Sequence, residues 1–263
     1  MKLKEFLNEK ELISAYDVYG YEGVKFKSLE KNGITKHKKL EDGSYEVWGD
    51  FEGNPKDIPI KIKIIHGDFA CIDKNLESLD GCPEIVDGNF YCSYNKNLIS
   101  FEGGPKIVKG DFNCSENSLF TFEGCPEKVD GNFICYLNHF ETLKGCPEII
   151  NGNFDCRDNQ LYNLEGSPKE IKGSFYCSEN ELESLKGCTQ KIGKNFDCSR
   201  NPLRTLEGAP EIVEGNFDCS ENQYLRTLEG APKKVNGNFY CHNNFITLKE
   251  IKSVCDVSGK ILL

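Results

Sequence analysis

Apolar and polar positions recur along most of this chain in a fixed order. Each unit reads Val or Ile, any residue, Gly, any residue, Phe, any residue, Cys, two further residues and Asn. This alternation predicts a short strand whose Phe and Cys side chains face inward. A fixed period in the twenties is typical of a solenoid, in which each repeat forms one coil stacked on the previous one. Nine phenylalanines mark the units at intervals of 21 or 22 residues: Phe69, Phe90, Phe112, Phe133, Phe154, Phe175, Phe196, Phe217 and Phe239.

The remaining repeat positions predict how one coil closes. Val129 is expected to point inward, and a pair of mostly leucine residues completes the core later in the coil. Gly131 stands two residues before Phe133 and recurs in eight of the nine repeats. A positive φ or a close contact between coils would exclude a Cβ there. Asn138 also belongs to a column found in eight repeats, and we expect it to hydrogen-bond the backbone of its own and neighbouring coils.

The order of strand, Asn and leucine resembles the leucine-rich repeat, with F-x-C-x-x-N-x-L in place of L-x-L-x-x-N-x-L. The short period and the L-x-G-x-P segment are similar to the compact bacterial subclass of that family. The stretch LRTLEGAPEIVEGNFDCSENQYLRTLEGAPKKVNGNFYC also resembles leucine-rich-repeat proteins of bacteriophages and large DNA viruses. The resemblance implies a right-handed, β-rich stack of nine coils with a parallel sheet on one face. A parallel β-helix is the alternative fold.

Both ends of the chain depart from the repeat, which predicts three regions. Residues 1–57 are expected to form an N-terminal cap, with an amphipathic helix over residues 1–16 and a β-hairpin over residues 33–51. Residues 58–248 form the nine-repeat solenoid. Residues 249–263 lose the motif and are expected to form a C-terminal cap, because an open solenoid needs its end coils covered. A separate activity carried by the N-terminal region stays open.

Fourteen cysteines raise the question of disulfides or zinc, but their placement opposes both. Side chains of stacked coils run parallel at about 4.8 Å, whereas a disulfide needs converging Cβ atoms about 3.8 Å apart. The CxxC spacing of zinc sites does not occur. We therefore predict buried, reduced thiols in a reducing compartment, without a metal or other cofactor. Nine cysteines follow the phenylalanines by two residues: Cys71, Cys92, Cys114, Cys135, Cys156, Cys177, Cys198, Cys219 and Cys241.

The net charge of −10 is distributed unevenly along the chain. Residues 1–65 carry 12 basic and 12 acidic residues, so the whole acidic excess lies in the part that follows. A net acidic surface disfavours direct nucleic-acid binding and permits a basic protein partner. It also favours an elongated monomer that stays soluble. The N-terminus is too charged for a signal peptide and no apolar run reaches membrane-spanning length, so we expect a soluble, cytoplasmic protein.

The strand-bearing face of the solenoid is where we expect function. The position directly after each phenylalanine points outward and varies most, so specificity for a partner can be encoded there. The chain has no recognisable catalytic motif, and its four histidines are scattered. We therefore expect a non-enzymatic protein–protein interaction module. The predicted partner-binding residues are Tyr91, Asn113, Ile134, Tyr136, Asp155, Tyr176, Asp197, Asp218 and Tyr240.

Two alternative functions stay open. The first is an acidic mimic of DNA that occupies the basic cleft of a nucleic-acid enzyme. The second is a structural component of a virion or a cell surface. The resemblance to viral proteins implies, more narrowly, an accessory protein of a phage or virus that binds or inhibits a host factor in the host cytoplasm.

Overall fold

A computed structural model describes Lys27 and residues 29–263 of the chain. This part is a β-rich parallel solenoid, as the repeat predicts. Its helical elements include a short 3-10 helix, Pro55–Asp57, and the α-helix α1, Leu248–Val254. A capping box in which Thr247 and Glu250 bond each other's backbone N–H groups begins α1. The helix predicted over residues 1–16 lies outside the described residues.

Eleven short strands pair in parallel to form what we call the phenylalanine sheet. Each phenylalanine lies opposite its equivalent in the next coil, so the register repeats without a slip. The ladder also continues one strand beyond the nine predicted repeats at either end. Its strands are β3 (Phe51–Glu52), β5 (Phe69–Ala70), β7 (Phe90–Tyr91), β9 (Phe112–Asn113), β11 (Phe133–Ile134), β13 (Phe154–Asp155), β15 (Phe175–Tyr176), β16 (Phe196–Asp197), β18 (Phe217–Asp218), β20 (Phe239–Tyr240) and β22 (Ile261–Leu262).

A second set of strands forms at the Val/Ile position of the repeat, where the sequence predicts an inward apolar residue but no sheet. We call these the aliphatic sheets. The presence of two parallel ladders is consistent with both folds that the sequence left open, a repeat solenoid and a β-helix. One sheet contains β4 (Ile62–His66), β6 (Ile85–Val86), β8 (Ile107–Val108), β10 (Lys128–Val129), β12 (Ile149–Ile150) and β14 (Glu170–Ile171). The other contains β17 (Ile212–Val213), β19 (Lys234–Val235) and β21 (Asp256–Val257).

The N-terminal hairpin and the C-terminal segment both join these sheets. Strands β1 (Lys36–Lys39) and β2 (Tyr45–Trp48) pair antiparallel around a turn that contains Gly43 at φ 80°. Strand β2 then pairs in parallel with β4, which attaches the hairpin to the first coil. At the other end, the segment predicted as a cap supplies α1 and then β21 and β22, which add one strand to each ladder.

The interior contains a continuous stack of phenylalanine rings. Neighbouring rings from Phe51 to Phe239 have centroids 4.8–5.8 Å apart, and they are almost completely buried. Each such burial contributes about 1.5–3 kcal/mol, and each aromatic pair adds about 0.5–1.5 kcal/mol. The neighbouring cysteines are free thiols. The Cys156 thiol, for example, donates to the carbonyl of Tyr176 in the next coil at 3.5 Å.

An asparagine in each of eight coils, buried in seven of them, satisfies the backbone where the strand ends. The Nδ2 group of Asn159 donates to the carbonyls of Cys156 and Cys135, both at 3.1 Å, and its Oδ1 accepts from the N–H of Phe140. The residue just before this column adopts a left-handed conformation with φ of 50–62° in all nine repeats, which the sequence did not indicate. These residues are Asp73, Tyr94, Glu116, Leu137, Asp158, Glu179, Arg200, Glu221 and Asn243.

The recurring glycine before the strand is explained by close packing of coils. A Cβ on Gly131 would lie 2.6 Å from the carbonyl oxygen of Gly110 and 2.3 Å from Oδ1 of Asp111. Gly131 is not among the residues with positive φ. Of the two reasons that the sequence left open for this glycine, contact between coils is therefore the one that applies.

Candidate protein-binding face

The predicted partner-binding residues line the outer side of the phenylalanine sheet. Eight of them follow the phenylalanine directly, and strand pairing sets them side by side in one row. Tyr136 lies two residues further along, just after β11. Tyr91 and Tyr240 lie three strands from Asp155 and Tyr176 respectively, or about 14 Å at the usual strand spacing. They therefore stand apart from the centre of the row.

The residue before each phenylalanine forms a second outer ladder that fixes this face. Its side-chain oxygen accepts a hydrogen bond from the backbone N–H of the equivalent residue in the next coil, at 2.7–3.3 Å. Most of these side chains are half-buried, and one side-chain oxygen of each is engaged in the ladder. The ladder comprises Asp50, Asp68, Asn89, Asp111, Asn132, Asn153, Ser174, Asn195, Asn216 and Asn238.

A cluster of two tyrosines and one arginine occupies the centre of the face. Arg157 donates from Nε and Nη2 to the two carboxylate oxygens of Asp155, at 2.8 and 2.7 Å. Its guanidinium lies 5.9 Å from the ring centroid of Tyr136 and 5.6 Å from that of Tyr176. We call these three residues, Tyr136, Arg157 and Tyr176, the Tyr–Arg–Tyr cluster. Cation–π contacts of this kind hold an arginine in one orientation while leaving part of it exposed.

Asp155 is largely buried under Arg157, and its role as a partner contact stays a prediction. The sequence predicts that it faces a partner, but it is only 9% exposed because Arg157 covers it. The Asp155 hydrogen bond raises the pKa of Arg157 still further above neutrality. Arg157 was not among the predicted site residues. The sequence signal that could have found it is its place in a column that holds serine in five of the nine repeats.

Three other members of the row form hydrogen bonds within their own coil. Asn113, Asp197 and Asp218 each accept from both the N–H and the hydroxyl of the serine two residues later, at 2.5–3.0 Å. These Asx-type turns end the strand and keep the serines buried. Burial raises the pKa of Asp197, against the lowering effect of the hydrogen bonds from Ser199. Their role as partner contacts stays a prediction.

Four carboxylates of this face have no ion pair with a basic side chain in the described part of the chain. Among the described residues, no lysine or arginine forms an ion pair with Asp68, Asp111, Asp197 or Asp218. The face is therefore a rigid, acidic surface with one arginine and several partly exposed tyrosines. Such a surface can contact basic and apolar groups of a partner.

The thiols offer no exposed nucleophile on this face. Burial raises the pKa of Cys135, Cys156 and Cys177 well above the ordinary thiol value, so they stay protonated. Within residues 29–263, no group of three His, Cys, Asp or Glu side chains is arranged to hold a metal ion.

Comparison with known proteins identified no matching family model, no matching curated protein and no matching solved structure. The resemblance to leucine-rich repeats and to viral proteins therefore stays a prediction. In the part of the chain that the structure describes, no helix has both the length and the apolar character required to cross a bilayer.

Proposed function

We propose that this chain is a non-enzymatic protein-binding module whose partner docks on the outer side of the phenylalanine sheet. The Tyr–Arg–Tyr cluster is the centre of the contact, and the carboxylates of Asp197 and Asp218 lie beside it. The observation that carries the proposal is the fixed guanidinium of Arg157 between two tyrosine rings on an otherwise acidic sheet. The proposal extends to a cytoplasmic protein that acts as a monomer.

Preorganisation supports this choice of centre. Tyr and Arg are the residue types that most often dominate binding energy at protein interfaces. Arg157 is already oriented by two hydrogen bonds to Asp155, so a partner would not have to order it on binding. The parallel sheet beneath it provides a rigid base, because each strand bonds the next coil on either side.

Electrostatics supports a basic partner. Asp68, Asp197 and Asp218 are held by neutral N–H and O–H donors, which keep their position without cancelling their charge. A partner that presents Lys or Arg would supply the missing counter-charge and would be attracted from a distance. Direct binding of nucleic acid is disfavoured for the same reason. The narrower proposal, that the chain is a phage or viral accessory protein that binds a host factor, rests on the resemblance alone.

The test is a quantitative capture experiment followed by titration of the purified partner. The double variant Tyr136→Ala/Tyr176→Ala should weaken binding by about 30-fold or more, because the loss of even one hot-spot side chain costs about 2 kcal/mol or more. Tyr162→Ala is the matched control, since Tyr162 is 56% exposed but lies outside the phenylalanine sheet. Binding should also weaken as salt concentration rises.

Equal affinity of the double variant and the control would refute the proposed centre. Competition by duplex DNA, with the same residues required, would instead favour the DNA-mimic function. Circular dichroism of both variants should match that of the unmodified chain, because neither substitution reaches the buried stack.

A further inference from the structure

His66 joins three elements at the N-terminal end of the aliphatic sheets. It is the last residue of β4, and its ring stacks on Trp48 of β2 with centroids 4.7 Å apart. Its Nε2 lies 2.7 Å from Oε1 of Glu46, which is also on β2. Its Nδ1 lies 2.5 Å from Oδ2 of Asp87, which directly follows β6. The imidazole therefore stands between one carboxylate of the hairpin and one of the solenoid.

Both contacts can be hydrogen bonds only when the imidazole is protonated. An ionised carboxylate is an acceptor only, and a neutral imidazole carries a single N–H. Loss of one ring proton would place a nitrogen lone pair against a carboxylate at hydrogen-bonding distance. The hydrogen bond to Glu46, with a further contribution from Asp87, raises the pKa of His66 in spite of its desolvation.

Three lysines also face this group of charges. Lys109 Nζ lies 2.7 Å from Oδ1 of Asp87, and Lys38 Nζ lies 3.5 Å from Oε2 of Glu46. Lys36 Nζ lies 4.4 Å above the ring of Trp48. Each lysine contacts one carboxylate or the ring, whereas His66 contacts both carboxylates. Lys63 of β4 also pairs with Asp42 in the hairpin turn, at 2.8 Å. Among these contacts, however, the one that bridges a carboxylate of the hairpin and a carboxylate of the solenoid depends on the His66 proton.

We propose that His66 is a proton-dependent clasp, in which its imidazolium fastens the β1–β2 hairpin to the first coils and its deprotonation lets the hairpin open more often. The backbone pairing of β2 with β4 and the buried Val47 keep the hairpin docked on average. The stabilisation is complete below the unfolded-state pKa of about 6.5 and is lost as the pH rises through the higher folded-state value. The proposal is independent of the protein-binding function.

The experiment combines an NMR titration of the His66 ring with amide hydrogen exchange of the whole chain. Informative amides are those of Thr35, Tyr45 and Gly49, which donate to Trp48, Lys61 and His66 carbonyls in the hairpin and its junction. Exchange rates are divided by the intrinsic rate at each pH. The ring should titrate above about 6.5, and protection of these amides should fall several-fold with the same midpoint. The Phe154 amide, in a central coil, should show no such step.

Variants sharpen the result. His66→Gln should remove the pH step in hairpin protection, and Glu46→Gln should lower the pKa of the His66 ring. His139→Gln is the matched control, because His139 is exposed and bonds only a neutral side chain, Gln160 at 3.3 Å, among its described side-chain contacts. A His66 ring that titrates at or below its ordinary pKa, or hairpin protection that ignores its titration, would overturn the proposal even if the Gln variant misfolds.

Discussion

The outer faces of the phenylalanine sheet and of the aliphatic sheets come from the same repeat but hold their charges differently. On the aliphatic side, carboxylates pair with lysines of the next coil, as Glu148 does with Lys169 at 2.7 Å. On the phenylalanine side, Asp197 and Asp218 are held by serine groups and have no basic partner among the described residues. The charges of Asp197 and Asp218 are therefore not neutralised by a neighbouring coil, whereas that of Glu148 is.

Side-chain length explains the difference. Glu and Lys have long side chains that span the spacing of about 4.8 Å between coils, so opposite charges at equivalent positions meet. At Asp197 and Asp218 the short side chain instead reaches the serine two residues further along its own coil. Long charged residues can thus neutralise one another between coils, whereas these two aspartates end strands and keep their charge.

The largest expected effect comes from removing the one arginine of the phenylalanine face. Arg157→Ala leaves the buried carboxylate of Asp155 without its two donors, which should lower the free energy of unfolding by about 1–3 kcal/mol. The measurement is the midpoint of urea unfolding at pH 7. A cost no greater than that of a lysine variant on the aliphatic side would show that the two faces do not differ in this way.

The second-largest effect is expected to be a gain in stability, at Asp197. Asp197→Asn should raise the free energy of unfolding at pH 7 by up to about 1 kcal/mol, because burial disfavours the charged form of this side chain. Asn113 already makes the same turn with Ser115, so the substitution suits the position. A raised folded-state pKa means that stability falls as the pH rises from about 4, so the gain should vanish below that pH. A gain that persists there would contradict the electrostatic explanation.

The matching carboxylate on the aliphatic side should respond with the opposite sign. Burial favours the neutral form of Asp87, but hydrogen bonds from Lys109 and His66 outweigh it and lower its pKa. Asp87→Asn should therefore cost less than about 1 kcal/mol at neutral pH. Because stability from a lowered pKa is lost as the pH falls through the folded-state value, this cost should shrink on acidification. Thermal unfolding of both proteins at several pH values measures this cost. A cost that grows in acid would contradict the lowered pKa of Asp87.

The smallest effect is expected for the exposed ion pairs of the aliphatic sheets. Lys169→Ala and Lys233→Ala should each change the free energy of unfolding by less than about 0.5 kcal/mol, since both partners of each pair are largely exposed. Urea unfolding in low and high salt measures this. A larger, salt-sensitive loss would mean that these pairs stabilise the stack as a network.

Much of the architecture could be predicted from the sequence, because the same order of apolar and polar residues recurs in nine repeats. The phenylalanine and cysteine columns identify the buried strand, and the asparagine column indicates where its backbone groups are satisfied. The weaker repeats at Phe51 and Ile261 could not be recognised with equal ease, since they lack the cysteine and the asparagine. Their place in the ladder comes from pairing with a neighbouring coil, which supplies hydrogen bonds whatever the side chain is.

The candidate site was predicted less completely. The sequence identified the outward row, which includes Tyr176, but it did not distinguish the half-buried Tyr136 from the buried Asp155. That difference depends on the orientation of Arg157, which is set by contacts with residues of three coils. The second ladder of strands was also missed, because each of these short strands buries a single apolar residue, so the sequence shows no alternation there.

The sequence by itself determined that this chain forms stacked coils with aromatic rings and thiols inside, because apolar periodicity alone decides which side chains leave water. Only the tertiary structure decided which charges are neutralised, which glycines are required and which outward residues are free to meet a partner. Those properties depend on distances between neighbouring coils, and such distances exist only after the coils have stacked.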